Sequence, residues 1–133
     1  MILVLDSCAL IALLRREPGG ETVDSLLSDQ SNTCMAHALN LCEVYYDLSR
    51  RAGKKRAKDV INRLVMAGVS VREDMDTDFW QDVGDLKADH SVSLADCVCM
   101  ALANRLGVEV VTSDRHEMEP IANAGVCRVR FIR

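Results

Sequence analysis

Residues 1–7 read MILVLDS, in which Ile2, Leu3, Val4 and Leu5 form an unbroken apolar run that closes on the carboxylate of Asp6. An apolar run without alternation suits a parallel strand covered on both faces, since neither side of it is left for water. Strands of this kind occupy the middle of open α/β sheets. In those sheets ligands bind beyond the carboxyl ends of the strands, where the strand order reverses, so an acid at that position marks a candidate site. Asp is also a favoured helix N-cap, and on this stretch alone both roles stay open.

The chain has 133 residues, 49% hydrophobic but only 4% aromatic. That is the size of one domain, 1–133, whose core must come from Leu, Val, Ile, Ala and Met. A net charge of −4 excludes a protein that coats nucleic acid generally, but says nothing about local basic patches. Residues 1–14 lack the basic start of a signal peptide, carry Asp6 in their middle, and place Arg15 and Arg16 afterwards. No apolar run is long enough to span a bilayer, so a cytoplasmic protein with no membrane partner is expected. Cys8, Cys34, Cys42, Cys97, Cys99 and Cys127 sit singly in apolar patterns with no C-x-x-C pair, which argues against zinc and for small buried hydrophobes.

Outward from the first strand, helix formers at 8–16 stop at Pro18-Gly19-Gly20, and a second helix spans 21–29 on Val23, Leu26 and Leu27. A strand at 33–36 precedes a helix at 37–51 with Leu39, Cys42, Tyr46 and Leu48 among its apolar positions, then a helix at 54–67. A strand at 69–71 leads into an acid-rich helix at 73–89, whose acids are expected to be solvated. A strongly apolar helix at 93–106, a strand at 108–112, a short helix at 116–124 and an edge strand at 126–132 complete the chain. Strands alternating with helices predict an α/β domain of three layers, with a mostly parallel sheet of about five strands between helices.

No G-x-G-x-x-G or Walker loop follows any strand, which counts against nucleotide cofactors. The Cys99 to Arg105 spacing lacks the glycines of a phosphate loop, and Cys8 stands where a D-x-D phosphotransfer motif needs its second acid. A phosphoacceptor receiver domain lacks its lysine near the last strand, where Arg128 and Arg130 stand. What remains is acids in apolar settings. Asp114 follows VEVVTS as Asp6 follows ILVL, Asp96 lies inside SLADCVCMALA, and Glu43 lies inside ALNLCEVYYDL. Each has a plainer role: Asp96 is three residues after Ser93, a capping-box position, and Glu43 can share a solvated stripe with Asn40 and Asp47. Two carboxylates about 4 Å apart repel by roughly 4 kcal/mol at an effective dielectric of about 20, and a divalent cation relieves that. Oxygen ligands point to Mg²⁺ or Mn²⁺, ions that activate water for phosphodiester cleavage.

At these residues the chain resembles the PIN domain, and in particular the VapC-like toxin ribonucleases of toxin–antitoxin pairs. The resemblance is carried by VLDSCALIALL, NLCEVYY, SLADCVCMALA and VVTSDRHEME, four short motifs in the family's order over nearly the whole chain. It implies an endoribonuclease dependent on Mg²⁺ or Mn²⁺, with Asp6, Glu43, Asp96 and Asp114 as the metal-binding cluster and Ser7 and Thr112 as supporting hydroxyls. It also implies a homodimer and an antitoxin partner; Leu10, Leu13, Leu14, Val60 and Leu64 are the candidate apolar surface. Cys8 departs from the small hydroxyl residue that often stands there. Glu117 and Glu119 are possible additional ligands for which a surface role is expected. His37, His90 and His116 share no spacing and are not read as ligands. Candidate RNA contacts are Arg15, Arg16, Arg50, Arg51, Lys54, Lys55, Arg56 and Arg115. A catalytically silent PIN-like module that binds RNA or a protein partner is the alternative.

Overall fold

A computed structural model describes Met1–Arg133. β1 (Ile2–Leu5) is the central strand of a sheet that also holds β2 (Thr33–His37), β3 (Ser70–Arg72), β4 (Glu109–Thr112) and β5 (Val129–Phe131), in the order β3-β2-β1-β4-β5. All pairings are parallel, with Leu3 opposite Cys34 and Leu5 opposite Val111. The chain runs outward from β1 to β3, then crosses back to β4 and outward to β5. The reversal therefore falls between β1 and β4, the two strands that end on Asp6 and Asp114.

The unbroken apolar run of β1 has its explanation in two cores. Leu3 and Leu5 enter one, and Val4 enters the other; on β4, Val111 and Val110 divide in the same way. The Leu3 and Leu5 face is covered by α1 (Ser7–Leu14), α2 (Gly20–Ser28), α3 (Ala38–Ala52) and α4 (Lys54–Met66). The Val4 face is covered by α5 (Thr77–Asp89), α6 (Leu94–Leu106) and α7 (Arg115–Asn123). Each such side chain contributes about 1.5–3 kcal/mol by leaving water, so the rim of β1 and β4 rests on the best-anchored strands.

Pro18-Gly19-Gly20 ends the first helix as expected, and packing explains the glycines. A Cβ on Gly19, whose φ is +92°, would meet Ile132 O at 2.6 Å, and one on Gly20 would meet Ala12 O at 2.5 Å.

Several expectations are corrected. On α3 the buried stripe is Asn40, Leu41 and Val44, while Cys42 and Tyr46 are exposed. The stripe turns because the Asn40 amide donates to Ala95 O at 3.2 Å, which lets a polar residue go inside. Asn40 therefore shares no solvated stripe with Glu43. Helix α5 begins at Thr77, and the segment before it holds Asp74, which is ion-paired and not solvated. Cys34, Cys97, Cys99 and Cys127 are buried, but Cys8 is only partly so and Cys42 is exposed. Leu10 and Leu64 belong to the core, so of the proposed apolar surface only Leu13, Leu14 and Val60 are partly open. No helix is long and apolar enough to cross a membrane.

Candidate active site

Asp6 follows directly on β1 and is 1% exposed. Its Oδ1 accepts the Ala9 N–H at 2.8 Å, so Asp6 does cap α1. The other oxygen, Oδ2, is buried with no hydrogen-bond partner. An orphaned buried acceptor costs roughly 1–3 kcal/mol, more if charged. The Thr112 hydroxyl stands near this carboxyl and favours its charged form, but falls outside hydrogen-bond geometry; its oxygen accepts the Asp114 N–H at 3.0 Å. Burial pushes Asp6 up to about 7, with the charges of Asp96 and Asp114 adding to the effect.

Asp96 lies in the first turn of α6, where Ser93 Oγ accepts its N–H at 3.1 Å. The Ser93 half of the capping box thus forms, leaving the Asp96 carboxyl buried and free of that role. Burial again leads, pushing Asp96 up to about 6, and the charges of Glu117, Asp114 and Glu43 reinforce it. Glu43 sits in the first half of α3, with Oε1 accepting from Ser7 Oγ at 2.9 Å and Oε2 from Tyr46 OH at 3.4 Å. Asp114 caps α7 by accepting the Glu117 N–H at 3.1 Å.

The acids converge on one thiol. Cys8 Sγ is pushed up to about 12, first by burial and then by Asp6, Asp114, Asp96 and Glu43 together. As they stand, however, no three Asp, Glu, His or Cys side chains are spaced to grip a single ion. The two observations are compatible because charge coupling reaches further than the roughly 2.0–2.6 Å of a ligand bond to Mg²⁺ or a similar hard cation. The acids share a rim, and the oxygen-only donor set with the orphaned Asp6 Oδ2 fits a hard divalent cation.

Two residues were missed in the sequence. Glu117, expected at the surface, has Oε2 buried without a partner beside Asp96 and Asp114, whereas Glu119 is exposed and paired with Arg115 at 3.6 Å. Its place in the first turn of α7, three residues after Asp114, was the available signal. Asn40 ties α3 to α6 next to Asp96, and nothing local in the sequence announces it. A groove of about 190 Å³ beside the rim is lined by His90, His116 and Glu117 among others.

The basic candidates divide. Arg15 pairs with Glu17 at 3.5 Å, Arg51 with Asp47 at 3.2 Å, and Arg115 lies 4.4 Å from the Phe131 ring centre while donating to Arg133 O. Arg16, Arg50, Lys54, Lys55 and Arg56 are exposed and form no ion pair.

The sequence profile of the PIN domain matches residues 3–122. The chain belongs to the PIN domain family. No curated protein matches it significantly by sequence. Among solved structures, this PIN domain is similar to that of the DNA-bound VapBC from Salmonella typhimurium, with a TM-score of 0.76, 17% identity and coverage of 100% and 99% of the two chains. It is similar also to VapBC2 from Rickettsia felis bound to a promoter DNA fragment, with a TM-score of 0.73, 17% identity and 98% coverage of each chain. A third is VapC20 from Mycobacterium tuberculosis, described as a sarcin-ricin loop cleaving toxin, with a TM-score of 0.71, 17% identity and coverage of 89% and 94%. At these identities the likeness concerns the fold.

Proposed function

We propose that this PIN domain is a Mg²⁺- or Mn²⁺-dependent endoribonuclease that hydrolyses RNA phosphodiester bonds, and that it is the toxin of a toxin–antitoxin pair. The observation that carries the reading is the buried, unpartnered Oδ2 of Asp6 at the point where strand order reverses, with Asp96, Asp114 and Glu43 close enough to be felt. Fixed buried acids held at such a cost are the expected state of a cation site.

Asp6, Glu43, Asp96 and Asp114 are the residues assigned to the cation, which when bound supplies an activated water and neutralises charge developing on the phosphate. The chain contributes orientation. The Ala9 N–H fixes Asp6, Ser7 fixes Glu43, Ser93 fixes the backbone of Asp96, and Thr112 fixes that of Asp114. With Asp6 near 7 and Asp96 near 6, the site holds protons at neutral pH that a cation must displace. RNA as substrate is supported by the family resemblance and by the description of the mycobacterial neighbour. An antitoxin partner is supported by the VapBC complexes among the neighbours, and a cytoplasmic homodimer by the same resemblance. The absence of three pre-spaced ligands favours one second reading, a silent PIN module that holds RNA or a protein without turnover.

The experiment is cleavage of single-stranded RNA with Mg²⁺ or Mn²⁺, with EDTA, and with Asp96→Asn. Metal-dependent cleavage that falls at least about 100-fold in the variant is expected. RNA binding without turnover in any metal would leave only the second reading.

A further inference from the structure

A line of contacts leaves the acid rim along one face of α3. Ser7 Oγ and Tyr46 OH donate to the two oxygens of Glu43, and the Arg50 guanidinium lies 4.9 Å from the centre of the Tyr46 ring. Positions 43, 46 and 50 are spaced three and four apart, so helix periodicity stacks them on one side. At 1.5 Å per residue Arg50 lies about 10 Å along the axis from Glu43. Tyr46 is 42% exposed and has no aromatic neighbour. Leu41 and Val44 already fill the buried stripe of α3, so the ring has no packing task. Asp47, the nearest acid on this face beyond Glu43, is taken by Arg51, which leaves Arg50 without an ion pair.

We propose that Tyr46 and Arg50 form a nucleobase-binding platform for single-stranded RNA, on which the base next to the scissile phosphate stacks while the guanidinium holds the adjoining phosphate. This rests on the ribonuclease reading and deepens it. Every base offers a π-face, so a tyrosine ring recognises unpaired nucleotides without choosing among them. A planar guanidinium both stacks and forms paired bonds to phosphate oxygens. Duplex RNA keeps its bases stacked on one another and cannot use the platform. Electrostatics demands such a group: the acid rim and the net charge of −4 repel RNA, and Arg50 is the first unpaired cation along α3 from Glu43.

The test uses a short single-stranded RNA carrying 2-aminopurine, with binding read in an Asp96→Asn background and cleavage read in the otherwise native protein. Tyr46→Ala should bind roughly tenfold more weakly and lose the stacking quench of the probe, whereas Tyr46→Phe should stay within about twofold of the parent. In cleavage, Tyr46→Ala should raise KM with kcat little changed. Arg50→Ala should weaken binding and flatten its salt dependence by about 0.7. Melting temperatures should not move, since neither side chain packs. Native affinity, KM and quench in Tyr46→Ala would overturn the platform while leaving the ribonuclease intact. So would a Tyr46→Phe variant as weak as Tyr46→Ala, which would assign the effect to the hydroxyl on Glu43. A native protein that neither binds nor cuts RNA would remove the ribonuclease reading and the platform together.

Discussion

Asp74 and Asp6 both lie just past the carboxyl end of a parallel strand, yet their carboxyls titrate at opposite ends of the scale. Asp74 accepts from Arg72 at 2.9 and 3.0 Å and from Arg105 at 2.9 Å, and the two guanidinium groups hold it down at about 2. Arg105 also reaches Asp76 twice at 2.7 Å and lies over Phe79, which stacks on His37. That network clasps the end of β3 to α5 and α6. Asp6 has one backbone N–H, three acids for neighbours and a pKa near 7. The chain supplies cations to one group of acids and withholds them from the other, which leaves the second group to a cation from outside.

Exchanging the carboxyls tests this contrast most severely. Asp6→Asn keeps a side chain that can cap α1, so cleavage should fall at least about 100-fold while the metal-free fold becomes more stable. Asp74→Asn should do the reverse, leaving cleavage within a few fold and costing about 1–3 kcal/mol, because Arg72 and Arg105 lose a shared partner that is only partly screened by water. Chemical denaturation in EDTA beside RNA cleavage in Mg²⁺ gives both numbers. An Asp6→Asn protein that is less stable than the parent would mean that Asp6 is a structural cap.

The pH dependence of stability should separate the two groups next. Asp6 titrates near 3.8 when unfolded and near 7 when folded, so its contribution is full below about 3.8 and is lost as pH rises through 7; Asp96 acts with the same sign, ending near 6. Asp74 has the opposite sign: its contribution is present above 3.8 and is lost as pH falls through about 2. In EDTA the protein should therefore lose on the order of a few kcal/mol between pH 5 and 8, since a tenfold difference in proton affinity between the folded and unfolded chain is worth about 1.4 kcal/mol. Saturating Mg²⁺ at pH 8 should restore about 2–3 kcal/mol by binding the folded form. Melting curves across pH, with and without Mg²⁺, decide the matter; a melting temperature that climbs from pH 5 to 8 in EDTA would contradict the buried-acid account.

The same contrast explains what the sequence could reveal. The ends of β1 and β4 were legible because apolar runs covered on both faces close abruptly on Asp6 and Asp114, and Asp96 stood out because every neighbour of it in α6 is apolar. The clasp was not legible. Arg72, Asp74 and Arg105 are joined across more than thirty residues of chain, and the acids around Asp74 looked like any solvated helix start. The face of α3 was hidden for a related reason. Asn40 is buried only because Ala95 O, on another helix, accepts its amide, and that bond turned Tyr46 outward. Local pattern locates acids that lack partners, whereas partners supplied from far along the chain leave no local mark.

The smallest expected effect concerns the basic surface, where the paired and the unpaired again lie side by side. Arg15 is bound to Glu17, and Arg16 shares its surroundings with Glu17, Glu21 and Asp24, so phosphates would have to compete with carboxylates there. Lys54 and Lys55 open α4 with no ion pair. Each phosphate contact on a single strand releases counterions worth a salt slope of about 0.7. In an Asp96→Asn background, Lys54→Ala/Lys55→Ala should flatten the dependence of RNA affinity on salt by about 1.4, and Arg15→Ala/Arg16→Ala by less than half as much. Cleavage at saturating RNA by the same double variants with Asp96 intact should barely change, because neither pair touches the acids. Equal slopes in both would place RNA on neither patch, and a larger loss at Arg15 and Arg16 would show that carboxylate neighbours do not keep a cation from phosphate, which would break the contrast at the surface.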